Sequence, residues 1–296
     1  MKPYLFLVLL LVAPLATAQG NLTVVYLEGE AQVSSGSGGW AELSIGDHLS
    51  LDAAIRLRPG SLIQVKGPGA GFVLTRPGTF AVPEILAARQ MLSAPGVAAV
   101  VDRLLRTFAF GPSAGKQATA SGVRGANESS AGDDEWTESN AQTFLDAGKE
   151  YIKAGEYEKA IQQLREALVA ANADEALEIH YCLACALSLM GDVVEAWKEA
   201  VALPPGAGSE PWFADFVLLK ARLLEETSAY GEAATWLAAN DLSQDAQHAA
   251  LYWFLLGLAY GGSGEDGKAR RTLENVAALS GESDLGRAAA TILGAR

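Results

Sequence analysis

Apolar and polar residues alternate one by one through the first third of the chain, and after a polar interval the apolar residues recur every three to four positions. The alternating part predicts short strands over 22–27, 31–33, 54–58, 61–66, 71–75 and 79–82. In the fourth of these, Leu62, Gln64 and Lys66 oppose Ile63 and Val65, and in the third Ile55 and Leu57 oppose Arg56 and Arg58. Turn residues separate the strands at 36–39, 46–47, 59–60, 67–69 and 77–78. Strands this short, about ten residues apart, predict a small antiparallel sandwich or roll over 19–112. Residues 84–110 revert to a helical period broken at Pro95-Gly96, which predicts one or two helices packed on that β domain.

Residues 113–140 carry little to bury, being rich in Ser, Gly, Ala and Asp, and are read as a linker. From 141 onward the pattern is helical and self-similar. Ala160, Ala196, Ala233 and Ala269 stand 36, 37 and 36 residues apart, each within an apolar stripe. Four helix pairs are predicted, over about 141–174, 177–208, 214–244 and 250–281. A last amphipathic stretch over 282–296, with Leu285, Ala289 and Ile292 on one stripe, is predicted to cap the array.

Charge and the chain's beginning narrow the setting. Met1 and Lys2 precede a nearly unbroken apolar run over 4–15 and the small-x-small triplet Ala16-Thr17-Ala18. That order predicts a secretory signal peptide over 1–18, cleaved after Ala18, and hence a periplasmic or secreted protein with no stable membrane insertion. A lipid anchor at the cleavage point needs a Cys there, and the first Cys is Cys182. Residues 19–132 hold nine Lys/Arg against eight Asp/Glu, whereas 133–296 hold 12 against 27, a net of −15. So acidic a half repels phosphates, which argues against nucleic acid as a partner.

The repeat positions resemble those of tetratricopeptide repeats. Tyr252-Trp253-x-x-Leu256-Gly257-x-x-Tyr260 matches the opening of that motif, followed by Gly264, Ala269 and Leu273. Phe144, Ala147, Gly148, Tyr151, Gly155, Tyr157, Ala160, Leu164 and Ala167 fill the same positions 109 residues earlier, with two weaker copies between. The resemblance implies an all-α superhelical solenoid whose concave wall is built from the first helix of each pair and binds a protein or peptide. It places Lys149, Ile152 and Lys153 of repeat one on that wall, then Tyr181 and Cys185, then Leu218, Arg222, Glu225 and Glu226, and finally Phe254 and Leu258. These are the candidate partner-binding residues. In the first half, Gly29-Glu-Ala-Gln-Val33, Trp40, Gly46-Asp-His-Leu49, Ile55-x-Leu57, Gly60-Ser-Leu-Ile-Gln-Val65, Pro77-Gly78 and Gly122-Val-Arg-Gly125 run in the order found in FecR-like domains. That resemblance implies a periplasmic sensing or scaffold module. Members that regulate sigma factors carry a membrane span ahead of this domain; here it follows the signal segment directly, so anti-sigma activity is not implied.

No residues assemble into a catalytic pattern. Cys182-x-x-Cys185 sits inside a predicted helix instead of at a strand-to-helix junction, and reads as small residues between packed helices. His48, His180 and His248 are scattered, and no second Cys or His cluster completes a zinc site. The expected function is therefore a non-enzymatic envelope scaffold without cofactor or metal, acting through the concave wall. The alternative is recognition of cell-wall glycan or another ligand by the β domain, with the repeats used for assembly.

Overall fold

The computed structural model describes residues 22–34, 39–68, 70–92, 96–111, 133–204 and 210–294. The signal segment, the Gly122–Gly125 motif and residues 113–132 of the expected linker lie outside the described residues. The N-terminal region holds two four-stranded antiparallel sheets. One, in the order β4-β1-β6-β7, joins β1 (Leu22–Glu28), β4 (His48–Leu49), β6 (Leu62–Gly67) and β7 (Ala70–Leu74). The other, β3-β2-β5-β8, joins β2 (Ala31–Ser34), β3 (Ala41–Glu42), β5 (Ala54–Leu57) and β8 (Gly78–Ala81). Alternation decides which side of each strand is buried. Leu22, Val24, Ile63, Val65, Phe72 and Leu74 share one core with Ala31, Ile55 and Leu57, while Gln64 and Lys66 point away from it. Six strands lie where the periodicity puts them. The two-residue strands β3 and β4 are too short to show alternation and do not stand out in the sequence.

After β8 the described chain is helical: α1 (Val82–Leu92), α2 (Val97–Phe110) and nine more helices. Four antiparallel pairs follow one another, α3 (Asp133–Ala154) with α4 (Tyr157–Ala170), α5 (Ala173–Met190) with α6 (Val193–Ala202), α7 (Phe213–Glu226) with α8 (Tyr230–Ala239), and α9 (Ala249–Gly262) with α10 (Asp266–Ser280). The last helix, α11 (Asp284–Gly294), buries Leu285, Ala289 and Ile292 against the end of this series. Helix α3 begins eight residues inside the stretch read as linker. Local stops are clear. Asn172 caps α5 by accepting from the backbone N–H groups of Asp174 and Glu175, and the Glu175 carboxylate accepts from the Asn172 N–H in return.

The helices of a pair approach closely where one side chain is missing. A Cβ built on Gly148 would stand 2.6 Å from Leu164, and one on Gly257 would stand 2.9 Å from Leu273, while Ala160 and Ala269 are fully buried opposite them. One expectation is corrected. Helix α1 packs on β7 and β8, as read from the sequence, but α2 leaves the β sandwich and lies against α3, α5, α7 and α11. The sandwich core is already closed by its own two sheets and by Val82 and Ile85, so the apolar stripe of α2 finds its cover among the helices instead.

Gly257→Val should lower stability by about 1–3 kcal/mol, because the added atoms overlap Leu273 in a packed core. Gly267→Ala meets open space in α10 and should instead raise stability by about 0.5–1 kcal/mol. Denaturant midpoints of the two variants check the pair.

Candidate functional site

The first helices α3, α5, α7 and α9 follow one another as one wall; α2 is seated on α3, α5 and α7, and α1 packs against α9. Along α2, Val97, Val101 and Leu105 recur at one face and join the core that contains Leu218, Phe254 and Leu258. One turn further, Phe110 belongs to a second core with Ile152, Tyr181 and Cys185. The Phe110 ring stacks on Tyr181 at 6.3 Å, Tyr181 stacks on Trp212 at 5.1 Å, and Phe216 meets both Tyr181 and Trp212 edge-on. Helix α2 thus inserts a side chain into each of the two hydrophobic cores of the helical region.

Polar contacts fix its register. Arg222 of α7 faces Asp102 of α2, with Nε 3.7 Å from the carboxylate, and its Nη2 is paired to Glu226. Arg89 of α1 donates to the Glu226 backbone carbonyl at 2.7 Å and to its carboxylate at 3.1 Å. Burial pushes the Glu226 carboxyl up, but Arg222 and Arg89 together hold it below the usual range. Arg103 pairs with Asp284 at the start of α11, and Arg106 donates to the Tyr157 hydroxyl at 3.4 Å. Under the end of α2, Phe108 meets His248 edge-on at 5.4 Å. Asp215 hydrogen-bonds His248 Nε2 at 3.1 Å, and Asp245 stands 2.9 Å from Nδ1 as an ion-pair partner outside hydrogen-bond geometry.

All eleven candidate residues lie on the first helices, but the wall they form is not open to solvent. Ile152, Tyr181, Cys185, Leu218, Glu225, Phe254 and Leu258 are buried. Arg222 and Glu226 keep 14% and 20% of their side chains exposed, and only Lys149 and Lys153, at 25% and 33%, border solvent beyond the end of α2. Lys149 pairs with Glu178 at 2.6 Å. Within this chain the wall is already occupied, in part by α2. Sequence reasoning missed Val97, Val101, Leu105 and Phe110. The spacing of four residues from Val97 to Val101 to Leu105 was a visible signal of a buried helix face, though not of what would bury it.

The remaining chemistry is structural. Cys182 and Cys185 are free thiols inside α5, and burial pushes both well above the thiol range, away from the nucleophilic thiolate. His180 Nδ1 lies 2.6 Å from Glu199, joining α5 to α6. Among the described residues no group of three or more His, Cys, Asp or Glu side chains could hold a metal ion, and no helix is long and apolar enough to cross a membrane. No family model matches the chain, and no curated protein matches it.

Two predictions follow from the contacts of α2. Phe110→Ala should cost about 3 kcal/mol and change the fluorescence of Trp212, since it empties the end of the aromatic stack. The hydrogen bond that His248 donates to Asp215 raises the His248 pKa despite burial, with Asp245 adding to the shift. Its contribution to stability is therefore full below about pH 6.5 and is lost as pH rises through the raised value. Replacing His248 with Gln should flatten that part of the stability profile, measured by denaturation between about pH 5 and 9.

Proposed function

We propose that this chain is an exported, non-catalytic scaffold of the bacterial envelope in which a tetratricopeptide-type array, joined to a FecR-like β unit, docks amphipathic helices along its concave wall. The observation that carries this reading is the seating of α2. An amphipathic helix from outside the repeats lies on the first helices with apolar stripe on apolar wall, Asp102 on Arg222 and Phe110 on Tyr181. This is the helix-in-groove mode of recognition, with anchors at i, i+4 and i+8. The wall is then a receptor surface whose ligand chemistry is written in α2: apolar anchors one turn apart, an acid facing Arg222, and an aromatic residue at the end.

A tethered helix competes at an effective concentration in the millimolar range, so a free helix of equal affinity is held off by α2. A partner must therefore reach the wall when α2 is away from it, or bind more strongly. The test uses the full chain. In a Val101→Asp variant, a labelled synthetic peptide of residues 96–111 should bind in trans, read by fluorescence anisotropy, whereas the wild type should bind it at least tenfold more weakly. A variant that keeps its helical circular dichroism, exposes its own α2 to hydrogen exchange and still ignores the peptide would refute the reading.

A second reading, ligand sensing by the β unit, is favoured by one feature. A cavity of about 740 Å³ lies between the outward face of β6 and β7, α1 and the adjoining ends of α6 and α7. Lys66, Gln64, Arg89 and Glu226 are polar groups on its wall, beside Leu86 and Val193. Its size suits a small organic ligand.

A further inference from the structure

Glu225 sits on the wall side of α7, three residues after Arg222 and next to Glu226. Only 4% of it is exposed, and neither carboxylate oxygen has a hydrogen-bond partner. The charges around it are accounted for by elements that pack there. From α7 itself comes Arg222, shared between Asp102 and Glu226. Helix α2 brings Asp102, and α1 brings Arg89, which is occupied by Glu226. The loop after β7 brings Arg76, which donates to the Ser228 carbonyl at 3.3 Å and pairs with Glu232 of α8 at 3.9 Å. Helix α8 adds the Tyr230 hydroxyl, and α9 has no acidic or basic side chain from Ala249 to Gly262.

Three guanidinium groups and four carboxylates meet here; Glu225 is the carboxylate left without a partner, and the buried Nε of Arg76 has none either. A buried, unpaired carboxylate is costly, and the cheaper state is the neutral acid. Take α2 off the wall, and Arg222 loses Asp102 as a partner and is freer to answer Glu225, which favours the ionised form. We infer that α1 and α2 dock on the wall only with a proton on Glu225, so that closing the wall takes up a proton from solvent and rising pH opens it. The inference rests on the reading that α2 occupies a docking wall it can leave.

Burial raises the Glu225 carboxyl well above the usual range, with Glu226 adding to the shift and Arg222 opposing it. Burial also raises Asp102, though less, because Arg222 faces it. The sign follows from proton counting. The docked state binds the proton and the open state releases it above about pH 4.5, so docking is strongest in mild acid. Above that pH it weakens by up to tenfold per pH unit until the docked carboxyl itself ionises. His248, beneath Phe108, titrates in the same direction, so the contribution of Glu225 is the difference between wild type and Glu225→Gln.

Two measurements on the full chain test this. Hydrogen-exchange protection of the α2 amides, corrected for intrinsic exchange, should fall with pH in the wild type and fall markedly less in Glu225→Gln, which should be the better protected at about pH 8–9. Infrared spectra at neutral pH should show the carbonyl stretch of a protonated carboxyl that Glu225→Gln removes and Asp102→Asn leaves. Equal pH slopes in wild type and Glu225→Gln would overturn the inference, and so would loss of the band in Asp102→Asn alone. If Glu225→Gln fails to fold, absence of the band from the wild type decides against it and loss of the band in Asp102→Asn does the same. Capture of the α2 peptide by Val101→Asp with equal affinity at pH 6 and pH 8 would sink the proton coupling while leaving the docking wall standing. Absence of capture would count against the wall, and the infrared band would still report on the proton.

Discussion

The burial of one helix stripe holds this protein together. Val97, Val101, Leu105 and Phe110 project from α2 into two separate cores, one shared by the later repeats and α11, the other by the earlier repeats. Burying such a side chain is worth roughly 1.5–3 kcal/mol, whereas a half-exposed ion pair of the Arg103–Asp284 kind contributes at most about 1 kcal/mol. Apolar contact therefore supplies the binding strength of α2, and the charged residues set where along the wall it stops. Without α2, Tyr181 and Leu218 would lose an apolar neighbour on the first helices, leaving a surface that soluble proteins cover or use for binding.

The same helix makes the β region and the helical region one unit. Because α1 and α2 are continuous with β8 in sequence, seating α2 on the wall brings the outer sheet face down onto α6. Leu62 and Val73 then pack against Val194, and the Lys198 ammonium bridges the Tyr26 hydroxyl at 2.8 Å and Glu28 at 3.3 Å.

Much of this architecture was legible in the residues, for reasons that differ by element. Six strands were readable because one face of each is buried, which imposes alternation; β3 and β4 carry two residues each and impose none. The helix pairs were readable because close crossing excludes a side chain at Gly148 and Gly257, leaving small residues at fixed intervals. The start of α3 was hidden because polar residues outside a core look alike in a linker and in a solvated helix. The amphipathic face of α2 was visible, but its partner was not. A stripe of Val and Leu declares that something covers it, and nothing local says whether that is a sheet or a groove one hundred residues later.

Charge made the wall harder to read than its apolar positions. The tetratricopeptide resemblance puts Arg222, Glu225 and Glu226 together on the wall, and their sequence does not say what faces them. In the folded chain the patch is largely answered from within, by Arg89 for Glu226 and by Asp102 for Arg222. Pairing leaves one carboxylate over, and that remainder is where the wall's chemistry departs from simple complementarity. An occupant with the apolar stripe of α2 but a neutral residue in place of Asp102 would free Arg222 to face Glu225. Such a helix would relieve the excess charge without a proton. On the proposed docking role, the wall would distinguish occupants by how many negative charges they bring, as well as by shape.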